Sequence, residues 1–96
     1  MRIVFEISGD KLSQAEQLLK KDDIVGRQSI AIRNASVLGL EGDIFIIIDG
    51  NEAAIKRAQE LLKGIAQKSK KEDLVLKKYD ELEEKAAEGF GAILGE

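Results

Sequence analysis

Apolar and polar residues alternate from Arg2 to Ile7, with Ile3, Phe5 and Ile7 on one side and Arg2, Val4 and Glu6 on the other. A period of two predicts a strand with one buried face. Ser8-Gly9-Asp10 then supplies a turn and a helix cap, and Leu12, Ala15, Leu18 and Leu19 recur at helical spacing before Lys20 and Lys21. Two cations at that end complement the negative pole of a helix dipole. The alternation returns at Ser29–Arg33 and resumes through Val37, Leu38 and Leu40, with Asn34-Ala35-Ser36 as a bulge or bend. Ile44-Phe45-Ile46-Ile47-Ile48 is the most β-prone run of the chain. After Asp49-Gly50-Asn51, Ile55, Ala58, Leu62 and Ile65 form a helical stripe, and Val75, Tyr79, Leu82 and Ala86 form a narrower one.

These patterns predict one small α+β domain, a β-α-β-β-α sheet-and-helix layer with an extra C-terminal helix and an apolar tail. The core spans residues 1–67, with strands at about 2–7, 28–40 and 43–49 and helices at about 10–21 and 51–67. The extra helix is expected at 72–88. A Gly-rich tail follows at 89–96, too apolar to float free and not helical by composition.

One segment carries more information than the rest. A strand of a one-sided sheet alternates, but 44–48 is apolar on both sides. Two helices on one face leave Phe45 and Ile47 in need of a second cover. That cover is either the third helix, through Val75, Tyr79, Leu82 and Ala86, or the same face of a second subunit. Phe45, Ile47, Tyr79 and Leu82 are therefore candidate interface residues, together with Phe90, Ile93 and Leu94 of the tail, which dock in cis or insert into a partner.

Composition narrows the chemistry. The 96 residues include no Cys and no His, so disulfides, thiolate or imidazole metal ligation and the usual general base near neutral pH are excluded. No serine has a partner base in a recognisable arrangement, and the chain is expected not to be an enzyme. Hard-cation sites built from oxygen remain open, and Asp22, Asp23, Asp43 and Asp49 are the candidate Ca²⁺ ligands. A net charge of −3 argues against broad capture of nucleic acid or anionic membrane. A weak RNA contact through Lys63, Lys68, Lys70 and Lys71, at the junction of the second and third helices, is the remaining nucleic-acid reading. No apolar run approaches a membrane span, and the apolar N-terminal run breaks too early for a signal peptide, so a cytoplasmic setting is expected. Richness in Lys, Glu and Ile hints at a thermophilic source.

The stretch from Gln28 to Ile65, a strand pair followed by Asp49-Gly50-Asn51-Glu52-Ala53-Ala54-Ile55-Lys56-Arg57-Ala58, resembles the second half of a KH domain. It covers under half of the chain, and the same strand-Gly-helix wording occurs in ferredoxin-like and ACT-like modules. The resemblance therefore implies a style of fold. It carries no binding residues across, because the Gly-x-x-Gly clamp of KH domains is replaced by Val25-Gly26-Arg27-Gln28. The function expected is a non-catalytic binding or assembly module that self-associates or docks a protein partner. The alternatives are a small-ligand or Ca²⁺-binding domain with an acidic pocket, and weak RNA binding.

Overall fold

A computed structural model describes residues 1–94, with side chains through residue 85. Strands β1 (Arg2–Ile7), β2 (Ser29–Asn34), β3 (Ile44–Asp49) and β4 (Gln67–Lys68) form one antiparallel sheet in the spatial order β2-β3-β1-β4. Helices α1 (Gly9–Lys21) and α2 (Glu52–Leu61) pack on one face, and α3 (Glu72–Leu94) lies against the other. The protein is a small α+β domain, and its β-α-β-β-α-β order is compatible with the ferredoxin-like style. Among the described residues no helix is long and apolar enough to cross a membrane.

The register explains the doubly apolar run. Ile3 faces Ile48, Phe5 faces Ile46 and Ile7 faces Ile44, and all six turn toward α1 and α2. There they meet Ala15 and Leu19 of α1, Ala58 of α2, and Leu62 just after it. The odd positions of β3 turn the other way, so Phe45 and Ile47 join Val4, Ala35, Leu38 and Val75 in a second core. Since β3 and β1 are the central strands, both their faces are buried, and alternation is lost where the sheet is thickest.

Four boundaries differ from the sequence reading. β2 stops at Asn34, because Ala35–Leu38 wind into a 3-10 turn that closes on Gly39 at φ +70°. The turn tucks Ala35 and Leu38 into the second core, a burial that strand continuation would forgo. α2 ends at Leu61, and Gly64 at φ +80° reverses the chain, a conformation glycine adopts without strain. That reversal frees Gln67 and Lys68 to pair with Glu6 and Phe5 as a fourth strand. α3 runs on through Leu94, where composition predicted an irregular tail. At α2 the cap is Asn51, whose Oδ1 accepts from the Ala54 amide at 2.9 Å. At α1 the Gly9 amide donates instead to Asp43 Oδ2 at 2.8 Å, from the loop before β3.

Candidate functional site

The second cover predicted for Phe45 and Ile47 is α3. Phe45 is fully buried and Ile47 nearly so, under Val75, with Leu76, Tyr79 and Leu82 half-buried around them. Polar contacts strap the helix down. Arg2 makes two bonds to the Asp80 carboxylate, at 2.7 and 3.1 Å, and Arg33 reaches Glu83 at 3.1 Å. The Arg33 guanidinium stands 5.5 Å over the Tyr79 ring, and Lys71 Nζ stands 5.6 Å over the Phe45 ring while donating to the Glu41 carbonyl at 2.8 Å. Such exposed pairs orient the helix more than they stabilise it, at about 0–1 kcal/mol each. Phe45 and Ile47 are therefore core residues rather than a surface open to a partner, and Tyr79 and Leu82 spend their apolar faces on the same packing. The side chains of Phe90, Ile93 and Leu94 lie outside the described residues.

The four candidate metal ligands do not converge. Asp43 and Asp49 stand at opposite ends of β3, about 20 Å apart at strand spacing. Asp22 is already occupied: Oδ2 accepts from the Ile24 and Val25 amides at 3.1 and 3.0 Å, and Oδ1 accepts from Arg57 Nε at 2.9 Å. Asp49 lies 3.8 Å from the N-terminal amine, Asp43 serves Gly9, and Asp23 is exposed. Among the described residues no group of three or more acidic side chains is placed to hold a metal ion.

Asp22 has a structural task with a pH signature. The Val25 amide and then the Arg57 guanidinium hold its carboxyl below the ordinary carboxylate range. A depressed folded pKa means that the unfolded chain binds the proton more readily. The stabilisation is present in full above the unfolded value near about 4 and is lost as the pH falls through the lower folded value. Asp22→Asn is expected to melt lower than the natural chain at neutral pH and to lose less stability between pH 4 and pH 2. Thermal melts across that window check it, and parallel pH profiles for the two proteins would remove Asp22 from the account.

The lysine junction is partly committed as well. Lys71 is held by Glu41 and the Phe45 ring, and Lys68 approaches Glu72 at 4.0 Å, while Lys63 and Lys70 are exposed. Base stacking on the sheet would need its aromatics open, yet Phe5 and Phe45 lie beneath opposite helix layers. Ser69, the buried polar residue beside this junction, donates to Glu6 Oε2 at 2.8 Å and accepts from the Lys71 amide at 3.2 Å. Its hydroxyl ties β1 to the segment that enters α3.

What the sequence reading missed is an edge. β4 closes one side of the sheet with two residues, but β2 borders solvent for six. The Ala35 amide donates to the Asp43 carbonyl at 2.9 Å, which phases the β2–β3 ladder. By antiparallel alternation, Ser29, Ala31 and Arg33 turn their main-chain groups toward β3, and Ile30 and Ile32 turn theirs outward. Ile32 O takes one bond from Arg33 Nη1 at 2.8 Å and keeps its second lone pair. Ile30 and Ile32 are only half-buried against the first core. The segments entering and leaving the strand expose Ile24 at 46% and Val37 at 54%. Ser29–Asn34 holds no Pro, Lys or acidic residue, common means of blunting an edge, and its one charge is Arg33, which reaches the Ile32 carbonyl and Glu83. A sequence signal existed in that run with a single charge, but its position at the border depends on strand order. No protein-family model, curated protein or solved structure matches the chain, so its own geometry carries the functional reading.

Proposed function

We propose that this chain is a non-catalytic assembly module that docks an extended protein segment by main-chain pairing along the outer edge of β2. The observation that carries this reading is the edge itself: outward amides at Ile30 and Ile32, outward carbonyls of which only that of Ile32 has a side-chain partner, Arg33, and apolar side chains half-covered. Strand addition draws its affinity from such a row of main-chain groups and its selectivity from alternate side chains. The sheet faces are less suited to the task, because α1 and α2 cover one and α3 the other.

A synthetic peptide with the sequence of residues 28–35 is the probe. Titrated onto isotope-labelled protein, it is expected to shift the Ile30 and Ile32 amide resonances and slow their hydrogen exchange, leaving the amides of β1 unmoved. If millimolar peptide leaves both resonances in place, β2 does not accept a strand and the reading fails.

A further inference from the structure

We propose that the segment received by β2 is β2 of a second copy, giving a two-fold dimer in which two four-stranded sheets become one of eight. The inference rests on the strand-docking reading above and adds a partner and a register. Outward main-chain groups must meet outward ones, so a two-fold axis passes through Ile30, Ala31 or Ile32.

Side chains separate the three choices. An axis at Ile30 brings Arg33 opposite the second copy's Arg27, and like charges directly across a ladder are destabilising. An axis at Ile32 sets Ile30 against Asn34 and runs the pairing into Ala35, where the chain has left the strand for the 3-10 turn. The axis at Ala31 avoids both faults. It faces Ile30 with the second copy's Ile32, twice by symmetry, and closes the half-open margin of the first core under both α1 helices. It also sets the small Ala31 against itself on the α3 side. The two Arg33 residues then stand four positions apart, about 13 Å, beyond the Debye length of about 8–10 Å.

That register also supplies charge complementarity. Ser29 pairs with Asp49 on β3, and both side chains lie on the α3 face, as Arg33 does. With the axis at Ala31, Ser29 receives the second copy's Arg33, so Arg33, Ser29 and Asp49 fall in one row across three strands. The outer two are separated by about two strand spacings, near 10 Å between Cα atoms. Ser29 is short, which lets the guanidinium reach over it toward Asp49, whose carboxylate is 58% exposed and lies 3.8 Å from the terminal amine. Reaching Asp49 takes Arg33 from Glu83, the Tyr79 ring and the Ile32 carbonyl, contacts that the new ion pair and the inter-strand bonds replace. The exposed Ile24 leading into one strand approaches the end where the exposed Val37 leaves the other.

The test is sedimentation equilibrium of the full chain from 10 µM to 1 mM, run beside the peptide titration. The expected result is a mass rising to twice the monomer across that range. Asp49→Arg and Arg33→Asp are each expected to weaken dimerisation at least tenfold, and the double exchange to recover most of it, with circular dichroism confirming the fold of each variant. A monomer at 1 mM whose Ile30 and Ile32 amides still answer the peptide overturns the dimer and leaves the docking edge standing. A dimer indifferent to the charge exchanges overturns the proposed register and with it this interface. Should Arg33→Asp fail to fold, Asp49→Arg alone carries the test, since an unchanged association constant in that variant overturns the proposal.

Discussion

Phe45→Ala is expected to lower the melting temperature by at least about 12 °C and to leave the solution mass as it is in the natural chain. The ring is fully buried on the α3 side of the central strand, among Val4, Ala35, Leu38, Ile47 and Val75. Truncating a buried Phe typically costs about 3–5 kcal/mol, through lost transfer energy and the cavity left behind. A domain of this size holds about 5–15 kcal/mol in all, and each kcal/mol is worth about 4–8 °C. The cation over the ring adds to the loss, because Lys71 keeps its bond to Glu41 but surrenders its aromatic partner. Calorimetry with light scattering at matched concentration measures both quantities. A small loss of stability accompanied by a fall in mass would mean that the ring faces another subunit rather than α3.

The second large effect concerns the helix that provides the cover. Val75→Asp places a carboxylate in the second core, where Val75 is fully buried among apolar side chains and Lys71, one turn earlier, is already bonded to the Glu41 carbonyl. An unpaired charge there costs several kcal/mol, and the chain relieves it by taking up a proton or by lifting α3. We expect lost stability, strong binding of an apolar dye and concentration-dependent aggregation, because lifting α3 uncovers Phe45 and Ile47 together. Leu74→Asp, one position earlier, is the control. Leu74 is 43% exposed, and substitutions of that kind usually stay within about 0.5 kcal/mol. Similar melting for the two variants would show that α3 is not the cover.

The legible part of this molecule is the part written in periodicity. The period of two at Ile3, Phe5 and Ile7 located β1 and the face it turns to α1 and α2, though not the burial of Val4 on its other face, and the helical stripe through Ala15 and Leu19 located α1 and what it buries. The failure of alternation at 44–48 announced a strand buried on both sides, and β3 is that strand. The breaks were less readable. Ala35–Leu38 could continue a strand by composition, and only the burial of Ala35 and Leu38 under α3 favours the 3-10 turn. β4 has two residues, too few to show a period, and it exists because β1 offers a free edge to the chain returning from α2.

The candidate site was read less well, for a related reason. Asp22, Asp23, Asp43 and Asp49 stood together in the sequence as candidate oxygen ligands. Their roles are set by neighbours distant in sequence: Arg57 for Asp22, Gly9 for Asp43 and the terminal amine for Asp49. Phe45 and Ile47 were recognised as apolar surface needing cover, and Tyr79 and Leu82 as one source of it, but apolar area alone does not say whether cover comes from the same chain.

The chain by itself determined an α+β domain with a central strand apolar on both sides, and, through the absence of Cys and His, the narrow range of chemistry open to it. Those are local properties, set by backbone periodicity and side-chain identity. Only the tertiary structure decided that α3 shields the second face and that β2 stands at the border with Ile30 and Ile32 turned outward. Which strand lies at an edge depends on pairings between segments far apart in the chain. Such pairings are chosen by the joint burial of all the elements, and no single segment encodes them.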